Sequence, residues 1–265
     1  MIVAFDIPRL TLESTTRVEH VYPSAGELPE NQLKLYVFFS APMRRGEAWQ
    51  RVHLLDSDGK PVELAFLEID QELWDRDHTR LTILFDPGRI KCGLLPLAES
   101  GKILEAGKRY TLAVDRDWQD GRGAPLVQAY RKEFVAVPSR REPVDPGRWR
   151  IVAPHTGTVE PLKIAFPEPL DYALLQRLIQ VIGPDGPLAG RISVLEQETE
   201  WRFTPREPWL EGKYTVAVQK ALEDLAGNRV GRPFDVDMFD PISRETSDEV
   251  VGLTFRTRER EKLKK

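Results

Sequence analysis

The sequence is poor in the residues from which many catalytic and metal sites are built. It contains one cysteine, Cys92, and four histidines among 265 residues. A single cysteine excludes an internal disulfide framework and a cysteine metal cluster. His20, His53, His78 and His155 lack the spacing of metal ligands, and no serine stands in a Gly-x-Ser-x-Gly setting. We therefore expect no enzyme activity, no cofactor and no metal site.

Long hydrophobic runs and a charge excess are also missing. No run approaches the 18 apolar residues of a membrane-spanning helix, so we expect no membrane insertion. The start, MIVAFDIPRL, lacks the basic and apolar regions of a signal peptide. With 42 acidic and 38 basic residues the net charge is -4, which gives no electrostatic reason to expect nucleic acid as a partner.

The sequence does contain many turn-forming residues, which separate short apolar runs. Its 21 prolines and 18 glycines are spread between short apolar runs, a pattern typical of β-rich proteins. Two of these runs resemble each other, residues 33–43 (LKLYVFFSAPM) and residues 162–170 (LKIAFPEPL). Each is an apolar strand that ends in Phe-x-x-Pro and an apolar residue. The first is too apolar on both sides to be an exposed ribbon, which predicts a central strand.

Matching features follow both runs in the same order. They are an Asp-Gly turn (58–59 and 185–186), a strand phenylalanine (Phe85 and Phe203), a Tyr-Thr strand (Tyr110 and Tyr214) and an Asp-x-x-Gly turn (120–123 and 224–227). The sequence therefore predicts an all-β chain with two tandem domains, at 18–137 and 148–239. The Pro-rich segment 138–147 is the predicted linker. Domains separated in this way are expected to unfold independently.

The two ends of the chain are assigned less fully. Residues 1–17 are predicted to form a strand and a linker, and residues 1–8 are expected to be the last strand of a missing upstream domain. Residues 233–236 are predicted to be the last strand of the second domain. Residues 240–265 are predicted to form a C-terminal strand and a charged tail, and the pairing partner of residues 249–256 stays open.

The ordered set of motifs, which occurs twice, resembles the bacterial Ig-like domain of the type found in S-layer proteins. Phe39-Ser-x-Pro-Met43 opens the first copy, whereas the second, Phe166-Pro-Glu-Pro-Leu170, lacks the serine. The resemblance covers nearly all of residues 18–237. It implies seven-strand Ig-like β-sandwiches of roughly 100 residues each without a required disulfide. It also implies a non-catalytic role and an extracytoplasmic or cell-surface location.

Candidate contacts with a ligand or partner lie where the two copies differ. The first copy has an insertion around 70–79 that is rich in carboxylates, and a further tryptophan flanks a later turn. The candidate residues are Asp70, Glu72, Trp74, Asp75, Asp77 and Trp118. Basic side chains interleave with the acidic ones and favour a solvated loop over a cation site. The tryptophans suit a sugar-stacking platform, but packing of loops on the sandwich is the favoured interpretation.

These observations lead to one leading functional prediction and one alternative. The chain is predicted to be a non-catalytic structural or protein-interaction module of a larger bacterial surface or secreted protein. Its expected partner is a protein or a cell-surface polymer, and its oligomeric state is left open. The alternative is a carbohydrate-binding accessory region that uses the loop tryptophans of the first domain.

Overall fold

The computed structural model describes residues 13–90, 101–234 and 249–259 of the chain. Its regular structure is almost entirely β-strand, which confirms the all-β class. The strands of the first half are β1 (Val18–Tyr22), β2 (Glu27–Pro29), β3 (Lys34–Phe39), β4 (Val52–Leu55), β5 (Leu73–Trp74), β6 (Arg80–Leu84), β7 (Arg109–Val114) and β8 (Tyr130–Val137). A single helical turn, α1 (Ala48–Arg51), precedes β4. Within the described residues, no helix has the length and apolar character needed to cross a membrane.

These strands form two four-stranded sheets, which we call the first sandwich. One sheet has the order β1-β3-β6-β5 and the other has the order β2-β8-β7-β4. Alternate side chains of β3 are buried, because Leu35, Val37 and Phe39 are at most 3% exposed. They join one hydrophobic cluster with side chains of the other sheet, among them Leu112 on β7. The two sheets therefore enclose a common core, as in an Ig-like sandwich.

The second half forms another sandwich. Its strands are β9 (Arg150–Val152), β10 (Leu162–Ala165), β11 (Ile179–Gly183), β12 (Gly186–Pro187), β13 (Gly190–Leu195), β14 (Glu200–Pro205), β15 (Lys213–Gln219) and β16 (Val250–Arg256). The helical turn α2 (Tyr172–Leu175) precedes β11. The sheet orders are β13-β14-β10-β9 and β12-β11-β15-β16. A second hydrophobic cluster, which contains Trp201 and Trp209, fills this sandwich.

The two sandwiches share local details as well as the strand order of one sheet, β1-β3-β6-β5 in the first and β9-β10-β14-β13 in the second. The hydroxyl of Tyr110 accepts the Glu105 N–H at 3.0 Å, and the hydroxyl of Tyr214 accepts the Leu210 N–H at 3.1 Å. In both sandwiches this tyrosine also stacks on a phenylalanine of the neighbouring strand. Each hydroxyl thus ties its strand to the loop before it.

The Asp-x-x-Gly turns are also built alike. The carboxylates of Asp120 and Asp224 each accept the N–H groups of the residues two and four positions later. Each aspartate pairs with the residue after the Phe-x-x-Pro motif, Met43 in the first sandwich and Leu170 in the second. The turn therefore closes against the end of the central strand in both sandwiches.

The last strand of the second sandwich differs from the prediction. Of the predicted strand 233–236, residues 235 and 236 lie outside the described residues, and Pro233 and Phe234 are not in a strand. Instead, β16 pairs with β15 along its whole length, with Tyr214 opposite Phe255. Phe255, not Phe234, therefore corresponds to Phe134 of the first sandwich. This pairing supplies the missing partner of residues 249–256.

Several other elements also differ from their predicted form. The sequence after the Asp-Gly turn at 58–59 predicts a returning strand at 61–69, but the structure has only isolated bridges there, at Pro61 and Phe66. The strands β2, β5, β12 and β13 were not predicted. Two of them, β5 and β12, have only two residues each, too short for a periodic pattern to show. The sequence also predicts single helical turns at 46–50 and 171–177, and these are present as α1 and α2.

Candidate functional site

The outer face of β3 is where the two sandwiches meet. Lys34, Tyr36 and Phe38 alternate with the core residues of that strand and point away from the first core. Tyr36 is nevertheless only 6% exposed, because side chains of the second sandwich cover it. We call this contact region, formed by the outer face of β3 and the loops of the second sandwich that lie on it, the junction.

An ion-pair network forms the centre of the junction. The Lys34 ammonium lies 3.0 Å from Asp171 Oδ2 and 2.7 Å from Glu223 Oε2. Arg229 Nε lies 3.1 Å from the other oxygen of Glu223. The Asp171 side chain is 2% exposed, so its pairing with Lys34 is shielded from solvent. One buried lysine of the first sandwich is thus held by two carboxylates of the second.

Asp171 also caps a helical turn in its own sandwich. As the N-cap of α2, its Oδ1 accepts the N–H of Leu174 at 2.9 Å. Such a cap satisfies one of the N–H groups that a helix end leaves unpaired. The Tyr36 hydroxyl donates to the same carboxylate, 2.8 Å from Oδ2. The cap therefore fixes the carboxylate in the direction from which Lys34 and Tyr36 approach.

These contacts change the ionisation of the groups involved. Burial, followed by the negative charge of Asp171, raises the pKa of the Tyr36 hydroxyl. Burial alone would lower the pKa of the Lys34 ammonium, but the charges of Asp171 and Glu223 outweigh it and raise that pKa. The tyrosine therefore stays neutral and the lysine stays charged, which suits a permanent contact.

Aromatic side chains form one flank of the junction. The rings of Tyr22 on β1 and Tyr172 on α2 stack with centroids 3.5 Å apart and planes 8° from parallel. Phe38 meets both rings edge-on, at centroid distances of 5.5 and 5.7 Å. Aromatic pairs of this kind contribute about 0.5–1.5 kcal/mol beyond their buried area. The cluster joins three elements from the two sandwiches.

The other flank is apolar. Leu225, in the loop after β15, is 3% exposed and belongs to the hydrophobic cluster of the first sandwich. Its carbonyl accepts the Leu33 N–H at 2.9 Å. Gly227 has a φ of +83°, and an added Cβ there would lie 2.6 Å from the Leu33 side chain. Phe234 also packs against the first core. The second sandwich therefore supplies part of the core of the first.

A buried carboxylate lies at the β1 side of the junction. Glu198, in the turn between β13 and β14, is 2% exposed. It accepts the N–H of Ser24 at 2.8 Å and its hydroxyl at 2.6 Å. Burial raises the pKa of Glu198, and the Ser24 hydrogen bonds and the nearby Lys132 oppose that shift only in part. Its backbone has a φ of +63°, so the turn is held in an uncommon conformation to make this contact.

The predicted linker also touches both sandwiches. The Asn31 side chain donates to the carbonyl of Arg140 at 2.6 Å and accepts its N–H at 2.9 Å, and Asn228 donates to the same carbonyl. Arg140 pairs with Glu168 at 2.8 Å. Beside it is an open cleft of about 310 Å³ whose walls include Trp149. The linker is therefore attached on both sides, which limits its freedom.

Two of the four candidate acidic residues in the first sandwich have structural partners. Glu72 accepts the N–H groups of Gly46 and Ala48, which lie at the start of α1. Asp75 accepts the N–H groups of Thr79 and Arg80 at 2.8 and 3.0 Å. The other two candidates, Asp70 and Asp77, are exposed. Within the described residues, no group of three or more His, Cys, Asp or Glu side chains could hold a metal ion.

The two candidate tryptophans do come together, but as part of the core. Their ring centroids are 5.7 Å apart and tilted by 62°, and both contact Phe39. Trp118 is 0% exposed, and its N–H donates to the carbonyl of Arg44. Trp74 is half-buried and its N–H donates to Glu72. A sugar-stacking platform needs exposed ring faces, so this geometry favours the packing interpretation.

The junction was missed at the sequence level, although one signal pointed to it. The outer face of β3 carries the aromatic side chains Tyr36 and Phe38 beside Lys34. This pattern predicts a central strand but does not indicate what covers its outer face. No pattern marks Asp171 or Glu223 as partners of Lys34, because such pairing depends on how the two sandwiches pack.

Comparisons with known proteins complete the description of the fold. No protein-family model and no curated protein matches the chain. Solved structures that resemble it include native alpha-2-macroglobulin from Escherichia coli spanning domains MG0-NIE-MG1, with 10% identity, 91% of this chain and 71% of that chain covered, and a TM-score of 0.30. Domains 1–6 of the surface layer protein SbsC are 8% identical, with 93% of this chain and 41% of that chain covered and a TM-score of 0.31. The titin I-band fragment I67–I69 is 11% identical, with 88% of this chain and 61% of that chain covered and a TM-score of 0.21. The chain thus spans less than half of the SbsC fragment, and likenesses at these TM-scores carry no argument about function.

Proposed function

We propose that the chain is a non-catalytic structural module in which two Ig-like sandwiches, repeats of one domain, act as a single rigid unit. The observation that carries the proposal is the junction. The second sandwich buries the outer face of β3, and its Leu225 completes the first core. Flexible tandem domains joined only by a linker would leave that face solvated.

The charge network favours one relative orientation of the sandwiches over others. Two carboxylates, Asp171 and Glu223, must both meet Lys34, and a shifted arrangement would leave buried charges without partners. A buried charge without a partner costs more free energy than a buried ion pair contributes. We therefore infer that the role of the network is to fix the relative orientation of the two sandwiches. A fixed orientation is useful in a spacer that sets the distance between neighbouring parts of a larger protein.

The boundaries and setting of the module form part of the same proposal. The first domain is 18–137, the linker is 138–147, and the second domain begins at 148. The second domain includes β16 because that strand completes the sheet of β15. The setting is a larger bacterial surface or secreted protein, as the resemblance to bacterial Ig-like domains implies.

Calorimetry on a destabilised second sandwich tests the proposal. Phe166 is 6% exposed and packs against Trp149, so Phe166→Ala should lower the stability of the second sandwich by about 3–5 kcal/mol. If the module is one unit, the thermal transition of the first sandwich should also shift to lower temperature. A first-sandwich transition that stays at its wild-type temperature while the second unfolds early would contradict the proposal.

A further inference from the structure

Two strands in matching positions, β8 and β16, differ in how their outer edges are protected. Each is paired on one side with the Tyr-Thr strand of its sandwich. In the first sandwich, Glu27–Pro29 covers the end of β8 as a parallel strand. In the second, the matching cover is reduced to one bridge, between His155 and Arg258.

The remaining edge of β8 is protected by charge. The Lys132 ammonium donates to the carbonyls of Ser24 and Ala25 at 2.9 and 2.8 Å, so the chain before β2 is tied along that edge. Arg131 and Glu133, on either side, are exposed. Charged side chains on an edge strand are a common protection against pairing with another chain.

The matching edge of β16 has none of these charges. Phe134 corresponds to Phe255, so the sequence Arg-Lys-Glu at 131–133 corresponds to Gly-Leu-Thr at 252–254. The open stretch of β16 has no proline, and Val250 is 44% exposed. From Val250 to Phe255 the strand carries no charged side chain, and an edge stretch without charges favours pairing with a further strand.

The hydrogen-bond pattern shows which backbone groups are available. Thr257 N–H donates to Gly212, and the carbonyl of Glu249 accepts from Lys220. The backbone N–H and C=O groups of the odd-numbered residues of β16 therefore point towards β15. Those of residues 250, 252, 254 and 256 point outward, away from β15. Among the described residues, none of these outward N–H groups has a backbone acceptor.

We propose that β16 is a self-association edge, on which the β16 strand of a second copy of this chain pairs in the antiparallel direction. Outward residues must pair with outward residues, so a two-fold axis at Leu253 places Val250 opposite Arg256 and Gly252 opposite Thr254. The four-stranded sheets of the two copies then form one continuous sheet.

Charge complementarity selects a second copy as the occupant. The strand begins after the exposed Glu249 and ends at the exposed Arg256 and Arg258. Antiparallel pairing of two copies brings the acidic start of each strand near the basic end of the other, whereas parallel pairing would bring like charges together. Residues 154–156 occupy the edge at Arg258, so the open stretch ends where the partner strand would end.

Sedimentation velocity over a range of protein concentrations tests the proposal. The wild-type chain should form a concentration-dependent dimer, and Gly252→Arg/Thr254→Arg, which places an arginine opposite an arginine on both sides of the two-fold axis, should remain monomeric. An added Cβ at Gly252 meets only the Thr215 methyl group, at 3.3 Å, so the variant should fold, and thermal unfolding checks this. Ser193→Arg on the other long edge strand, β13, is the matched control and should still dimerise.

Disulfide trapping tests the register. In a Cys92→Ser background, Leu253→Cys lies on the two-fold axis and should oxidise to a covalent dimer, whereas Ser193→Cys should not. The proposal is overturned if the wild type is monomeric throughout, or if the dimer survives the paired charge substitutions. Cross-linking through Ser193→Cys in place of Leu253→Cys would equally overturn it, because association would then use β13.

Discussion

Replacing Lys34 by methionine is the change that most directly unbalances the junction. Its ammonium pairs with Asp171 and Glu223, and its side chain is only 14% exposed. Removing one partner of a buried ion pair costs about 3–5 kcal/mol, because the charge that remains is uncompensated. Glu223 keeps Arg229 and Asp171 keeps Tyr36. We therefore expect a loss of about 3 kcal/mol in the free energy of unfolding, at the lower end of that range.

Urea unfolding at pH 7, followed by tryptophan fluorescence, measures this loss. Lys60→Met is the matched control, because that ammonium is 3.8 Å from Asp58 and its side chain is 75% exposed, and it should change stability by less than about 0.5 kcal/mol. Lys34→Met/Asp171→Asn/Glu223→Gln should recover most of the loss, since it removes the uncompensated charges. A loss below about 1 kcal/mol for Lys34→Met, typical of a surface pair, would refute the reasoning.

Three further substitutions test other parts of the account. Because the pKa of Glu198 is raised, its ionised form costs stability at neutral pH, and the free energy of unfolding rises as the pH falls from that pKa towards 4.5. Glu198→Gln should therefore be at least as stable as the wild type at pH 7. In urea titrations it should also lose this pH dependence. Hydrogen bonds from Thr16 and the turn outweigh burial and lower the pKa of Asp120 below 3.8. Its contribution to stability is therefore present above pH 3.8 and is lost as the pH falls below that value. Asp120→Asn should cost about 1–3 kcal/mol at pH 7, and the variant should lose less stability than the wild type on acidification. Leu225→Ala should cost about 2–5 kcal/mol, and amide exchange should accelerate in β3, in the other sandwich.

The sequence predicted the parts of the fold that depend on local patterns. The shared apolar run and terminal proline predict the central strands, and both are present, as β3 at the start of the run 33–43 and as β10 at the start of the run 162–170. The matching turns at Asp120 and Asp224 were identified because proline, glycine and aspartate mark turns through backbone geometry.

What the sequence did not predict depends on contacts between distant segments. The sequence leaves β16 without a partner because its partner is β15, from which residues 220–249 separate it along the chain. Phe234 resembled a strand residue of the second sandwich but packs on the first core. Trp118 lies near a turn, and a side chain at such a position can be either exposed or packed on the core. In each case the neighbour in space, and not the neighbour in sequence, determines the role.

The distance between the two sandwiches tests the central claim most directly. Asp58 and Asp185 are exposed residues of matching turns, and Asp58→Cys/Asp185→Cys in a Cys92→Ser background allows one spin label on each sandwich. Pulsed electron paramagnetic resonance, with unlabelled protein in excess to suppress contacts between copies, should give one narrow distance distribution. Lys34→Met/Leu225→Ala in the same background should broaden it. A broad distribution in the chain with an intact junction would contradict the claim that the two sandwiches form one rigid unit.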